Sequence, residues 1–494
     1  MAYKHGIGAD QGETISRSTV QTGTNAVYVG TAPVNLLKNG SDYVNKPLRM
    51  INWSRAVAQC GYSDDWESFT LCEAMRAHFF NANGAIAPIY MINVLDPVAH
   101  KAEESKKVSL NFANGSASFA DDKAIIDSFK IADKVAGTDY DITYNFTKSK
   151  FVVTSDKITG TVDATYDVVD PTKVTAEDVI GGVSDQGEMT GLSAIELVYS
   201  KNFDVVNLIA APGFSENPKI YQALCSAARK INNHFDAFVE ADIPLVGADN
   251  KLIDTYEKAI DWKSKNGINN SISSVWWPRA TGADGNVYHL STLATVEQMR
   301  IDYANENIPM ETCSNKSIPV IKQYFGVNSV NNGFGEVIAN ELNAAGIGTA
   351  IPSGGQWVLW GGHTAAYQYG VDNDASIIFD VSIRMIQYIM NGFQQRHASK
   401  IDRPMTTALR DAVVEEEQSQ LDSLVGAGAL LRDAENGTSP TITFVTDGDS
   451  YTNWVNGEFY FDGLATPTPE AHYFHLSCKW SDAGYTSFTY GGEE

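Results

Sequence analysis

Apolar residues fall in short runs along this chain, and the runs alternate with segments of helical period. In residues 203–213, Val205, Val206, Leu208, Ile209, Ala210 and Ala211 form one run, closed by Pro212-Gly213. Its length and β-branched content predict a strand buried on both faces. After it, Pro218 suits a first helical turn, and Ile220, Leu224, Ala227, Ala228 and Ile231 share one helical face. Residues 237–244 read as a second strand. Strand, helix and strand within about forty residues make a βαβ unit with parallel strands. Residues 26–30 and 87–95 are further buried strands, and 54–60 and 69–81 carry helical patterns. Beyond the βαβ unit come a helix at 252–263, a strand at 274–278 and a helix at 334–345 stopped by Gly346. The whole predicts an α/β fold on a mostly parallel sheet.

Three stretches break this rhythm. From about residue 100 to 194 the chain is dense in Thr, Val, Asp and Tyr. Segments 141–146, 151–154 and 161–169 predict short strands, hence an all-β sandwich inserted into the α/β unit. From Ser376 a long helix is expected over 377–393. A second helix, capped by Thr406 or Thr407, runs to Gly426 and carries Asp411, Glu415, Glu416 and Glu417. The end is β-like: Asn456-Gly457 is a hairpin signal inside 451–461. Residues 472–480 alternate, with Phe474, Leu476, Cys478 and Trp480 on one side. Residues 485–490 are a further short β-prone piece. The first 24 residues are polar without period and read as an extended arm. The expected division is an arm at 1–24, α/β at 25–99, an inserted β-sandwich at 100–195, α/β at 196–375, an α+β C-terminal domain at 376–484 and a second arm at 485–494.

Charge and chemistry narrow the function. The net charge of −24, from 36 basic and 60 acidic residues, argues against nucleic acid or an anionic membrane as main partner. No apolar run approaches the roughly 20 residues of a membrane span, and the first residues carry no signal-peptide pattern. Five scattered cysteines without a CxxC pair read as reduced thiols. Pro212 removes an N–H where a phosphate-binding loop needs one, and Asn332-Gly333-Phe334-Gly335 lacks the third glycine and a strand before it. GxSxG is absent, although a Ser-His-Asp set stays open because triads are spatial. Asp64-Asp65 and Asp372-x-Asp374 do not make a calcium loop. The expectation is therefore no catalytic residue, no cofactor and no metal. The acidic helix reads either as a solvated face or as a docking surface. The aromatics near the C-terminus read either as a local core or as a protein contact.

Gly30-Thr31-Ala32-Pro33, Val44-Asn45-Lys46-Pro47, Phe69-Thr70-Leu71, residues 208–213 (LIAAPG), Asp242-Ile243-Pro244, residues 275–278 (VWWP), 345–351 (AGIGTAI) and 357–364 (WVLWGGHT) occur in an order and spacing that resemble the tail sheath proteins of contractile bacteriophage tails and related injection particles. Two places depart from that pattern: Arg384 is followed by Met385 instead of a second arginine, and residues 293–302 lack a glycine. The resemblance implies a subtilisin-like α/β domain without peptidase activity, an outer β-sandwich and a C-terminal domain facing an inner tube. It implies hexameric rings stacked helically, which contract to drive the tube through an envelope. Implied partners are further copies of the chain, the tube protein, and baseplate and tail terminator proteins, with no nucleic acid and no membrane contact. The implied location is a virion tail assembled in the host cytoplasm. Terminal arms would pair with neighbouring sheets. Donor residues would be Thr14, Ile15, Ser16, Thr19, Val20, Tyr485, Phe488 and Tyr490. The accepting sheet would hold Phe474, Leu476, Cys478 and Trp480, and Asp411, Glu415, Glu416 and Glu417 would face the tube. An unrecognised α/β hydrolase and a static shell protein are the alternatives.

Overall fold

A computed structural model describes residues 20–485. The central sheet has six strands in the order Ser273–Trp276, Phe238–Asp242, Val206–Ala210, Val20–Gly30, Ile86–Asn93 and Leu48–Met50. The first five run parallel and the last antiparallel. Strand period explains the burial. Val27, Val29, Tyr90, Ile92 and Ile209 point to one face, under the helices Pro218–Ala227 and Tyr256–Lys265. Ala26, Tyr28, Ile89, Met91, Leu208 and Ala210 point to the other, under Leu71–Phe79 and Leu290–Ala304. Both faces are covered, so the runs read as continuously apolar.

The first strand begins at Val20, six residues before the predicted Ala26, so residues 20–24 lie in the sheet and not in an arm. Thr22, Thr24 and Asn25 are buried there despite their polarity. Each has a distant partner: Thr22 Oγ1 donates to Asn307 at 2.9 Å, Thr24 Oγ1 to Asp302 at 2.9 Å, and Asn25 Nδ2 to the Val205 carbonyl at 2.9 Å. Buried polar groups need such partners, and none is visible locally in sequence.

Two of the short sequence motifs meet at the sheet edge. Gly346, at φ +65°, follows the Glu336–Ala344 helix in a conformation glycine favours. Gly348 lies flat against Trp276, where a Cβ would fall 2.5 Å from the indole ring. AGIGTAI is thus shaped to pass over VWWP.

Residues 106–166 form two antiparallel three-stranded sheets. Lys106–Phe112, Gly160–Tyr166 and Lys130–Ile131 make one; Ser116–Phe119, Lys150–Thr154 and Asp141–Asn145 make the other. They enclose a core of their own, in which the Phe119 ring lies 4.9 Å from Phe151 and 5.7 Å from Phe129.

Toward the C-terminus, the helices Asp380–His397 and Thr407–Gly426 pack through Val381, Met385, Leu421 and Leu424. Thr406 caps the second, accepting from Leu409 N at 3.1 Å. Met385 is fully buried in this cluster, which accounts for an apolar residue where the resemblance suggests arginine. The hairpin expected at Asn456-Gly457 is absent. A short helix, Ser450–Val455, occupies that place, and Gly457 (φ +81°) follows its end. The antiparallel pair is formed by Thr441–Phe444 with Phe461–Leu464, on either side of the helix.

Candidate assembly surfaces

The strand expected over 472–480 does not form; the chain there has no ladder partner among the described residues. Phe474 is 87% exposed, Leu476 85% and Trp480 79%, and Cys478 is exposed too. These four residues therefore belong to no sheet among the described residues. The alternation is a β-pattern that finds no strand to pair with among the described residues. Tyr485 ends a short 3-10 turn, Ala483–Tyr485, with its ring 6.4 Å from Trp480. Thr14, Ile15, Ser16, Thr19, Phe488 and Tyr490 lie outside the described residues. Val20 is paired with Ile86 in the central sheet, so as placed here it is not available to a neighbour.

The acidic helix divides. Asp411 and Glu416 are exposed but paired, with Arg410 and Lys400 respectively, and Glu415 is exposed. Glu417 is only 2% exposed and points inward, so it faces no tube in this conformation. Arg396 grips it with two hydrogen bonds of 2.8 and 2.6 Å, and His397 Nε2 lies at 2.6 Å. Burial alone would raise the Glu417 pKa; Arg396 and His397 outweigh it and hold the carboxyl below its usual value. Glu417 ties the two C-terminal helices together.

The sheet also has the position where an α/β enzyme keeps its site. Strand order reverses between Val20–Gly30 and Val206–Ala210, and ligands of open parallel sheets bind outside the carboxyl ends there. A cleft of about 740 Å³ opens at that point, lined by Asp64, Thr70, Glu73, Gly213, Arg279 and His289. Beneath it a chain of charges crosses the sheet end. His289 Nδ1 lies 2.7 Å from Glu73, His289 Nε2 lies 3.3 Å from Glu216, and Arg279 bonds Glu216 at 2.9 Å. Burial and Arg279 oppose the imidazolium, but Glu73 and Glu216 outweigh them and raise His289 to about 10. Glu216, which burial would raise, is held far below the carboxylate range by Arg279 and His289.

Ser, His and Asp do meet here, with the serine hydroxyl bonded directly to the aspartate. Ser291 donates its hydroxyl to Asp242 at 2.5 Å and its N–H to the same carboxylate at 3.0 Å, while the His289 N–H donates to Glu73 at 2.7 Å. Both carboxylates satisfy the orphan N–H groups at the start of the Leu290–Ala304 helix. His289 is engaged by carboxylates at both nitrogens, and as imidazolium it offers no base to Ser291. These six residues are scattered between positions 73 and 291, and only Asp242 falls within a motif noted in the sequence.

No protein-family model matches the chain. Its fold is that of contractile-sheath subunits: it matches a chain of the helical sheath of the anti-feeding prophage in the contracted state with a TM-score of 0.54 at 13% identity, over 97% of this chain and 99% of the other. A chain of the anti-feeding prophage baseplate matches with a TM-score of 0.56 at 13% identity, over 97% and 100%. At the level of sequence, the chain is 28% identical to the tail sheath protein of Burkholderia phage BcepMu over 463 residues, 87% of this chain and 88% of that protein. The resemblance to tail sheath proteins stands on sequence and fold together.

Proposed function

We propose that this chain is the subunit of a contractile tail sheath and not an enzyme. It polymerises as hexameric rings stacked helically around an inner tube, meets baseplate and terminator proteins at its ends, and contracts to drive the tube through a target envelope. In this reading residues 25–99 and 196–375 are the rigid subtilisin-like body, 100–195 is the outer domain, and 376–484 faces the tube with Asp411, Glu415 and Glu416. The C-terminal stretch from Tyr473, with Tyr485, Phe488 and Tyr490 on it, is the donated arm. A neighbour's Thr441–Phe444 and Phe461–Leu464 pair, which is only two strands wide among the described residues, is the acceptor.

The observation that carries this reading is an alternating aromatic segment, residues 472–480, that pairs with no strand among the described residues. An isolated two-stranded sheet is marginal in water, and an exposed edge takes an added strand readily. Both halves of a sheet are thus present and unmatched. A flexible lead between arm and body lets subunits rotate while staying tied, as a contracting lattice requires.

A synthetic peptide of residues 471–494 competes for the acceptor edge in this account. Added in about tenfold excess before assembly, it reduces polymer yield in light scattering, and a scrambled peptide does not. Equal yields with both peptides contradict strand donation.

A further inference from the structure

Glu470 and His472 pack the start of the C-terminal segment against the body. The Glu470 side chain is only 9% exposed. It fits because residue 362 is glycine: a Cβ there would lie 2.3 Å from Glu470 Oε2. Oε2 lies 2.8 Å from His472 Nε2. The His472 ring packs 4.7 Å from His363 and 4.9 Å from Phe379, and His363 stacks on Tyr367 at 3.7 Å. The other oxygen, Oε1, is buried without any donor. The carboxyl beside it is Asp380, itself 2% exposed, whose N–H donates at 3.1 Å to the carbonyl of the same Gly362 that Glu470 packs against.

Asp380 already accepts from Thr312 Oγ1 at 3.1 Å and from the Val381 N–H at 2.6 Å. Arg384, one turn along the helix, is bonded to Asp302 through both terminal nitrogens. Glu240 adds further negative charge near Asp380, and Glu311, paired with Lys316, adds it near Glu470. Two ionised carboxylates cannot bond each other, whereas one shared proton turns one of them into a donor.

We propose that a proton shared between Asp380 and Glu470 is the latch that holds the C-terminal segment on its own subunit, and that losing this proton releases the segment. Its consequence for arm exchange rests on the sheath reading; the latch itself does not.

The sign follows from linkage. Burial, the largest cause, raises Glu470 to about 7 when docked, and burial with Glu470 beside it raises Asp380 as well. A freed glutamate titrates near about 4.3. The docked state therefore binds more protons. Docking is strongest below the free value, weakens about tenfold per pH unit above it, and has lost this contribution once pH passes the docked value. The two histidines act in the opposite direction. Burial lowers both, His363 to about 4, so they stay neutral and stacked until the solution becomes acidic, then repel. Docking thus has a mildly acidic optimum with separate acid and alkaline limbs.

Cys478 is exposed, while Cys60, Cys72, Cys225 and Cys313 are buried, so with Cys478→Ser a cysteine placed at Ala471, between the two anchoring side chains, is labelled selectively. A nitroxide on the dilute full-length Ala471→Cys, Cys478→Ser chain is followed by electron paramagnetic resonance between about pH 4 and about pH 9, with Cys478→Ser alone as labelling control. The label is expected to be restricted at mildly acidic pH and to become mobile as pH rises through about 7. Glu470→Gln, uncharged and carrying its own donor, remains restricted across the alkaline limb. His472→Asn changes the acid limb and keeps the alkaline one. A wild-type label with pH-independent mobility overturns the latch. So does a Glu470→Gln chain that titrates like wild type or is mobile throughout. Polymer formation is not read here, so failure of the sheath reading appears separately, as absent tubes from a chain whose latch still titrates.

Discussion

Ending the chain at His472 is expected to abolish polymers while leaving the subunit folded. Residues 473–482 are exposed throughout, so their removal strips little buried surface. Stability should change by less than about 1 kcal/mol, within the range of surface changes away from packed features. The loss falls on association, because the missing strand leaves each neighbour's two-stranded sheet incomplete. Thermal melting of the truncated chain should superimpose on that of the intact one, while sedimentation velocity shows monomers only. Tubes formed by the truncated chain would exclude the C-terminal segment as the connecting arm.

The second large effect is on folding. Arg384 → Ala should destabilise the subunit by about 3–5 kcal/mol, the cost typical of leaving a buried charge without its partner. Arg384 is 4% exposed in its side chain and Asp302 1%. Asp302 then keeps only Thr24 Oγ1 at 2.9 Å and Gln298 Nε2 at 2.9 Å. This one pair joins the first strand, the buried helix Leu290–Ala304 and the helix Asp380–His397. Because buried pairs are replaceable by apolar residues of similar volume, Asp302→Leu with Arg384→Met should recover most of the loss. Urea unfolding of the single and double variants measures both values. An Arg384→Ala chain within about 1 kcal/mol of wild type would show that the pair does not hold these elements together.

Periodic segments were the legible part of this fold. The 203–213 run became a strand at Val206–Ala210, parallel to Phe238–Asp242. The helix capped at Thr406 ends at Gly426 as its pattern suggests. What failed to show were features whose cause lies elsewhere in the chain. Val20 to Thr24 look like a polar arm because the partners of Thr22 and Thr24 are almost three hundred residues away. Glu417 looks like one more surface acid because its position on the helix does not reveal Arg396 behind it. Asn456-Gly457 carries a turn signal that serves equally after a helix, and the short helix Ser450–Val455 precedes it. Residues 472–480 show the reverse case: the β-pattern is plain in sequence, yet the segment pairs with no strand among the described residues. A pattern that one subunit leaves unsatisfied is what an exchanged strand would produce.

The same distinction applies to the charged end of the central sheet. Asp242, His289 and Ser291 are residue types that hydrolases use, and they lie at the switch point where such enzymes act. Their hydrogen bonds go to a helix start and to one another's counter-ions. They join helix, strand and loop at the end of the central sheet.

Negative-stain electron microscopy of the purified full-length chain, raised in concentration at neutral pH, tests the central claim most directly. Tubes built of stacked six-fold rings are the result this account predicts. A monodisperse monomer at every concentration, or flat two-dimensional sheets, would contradict it.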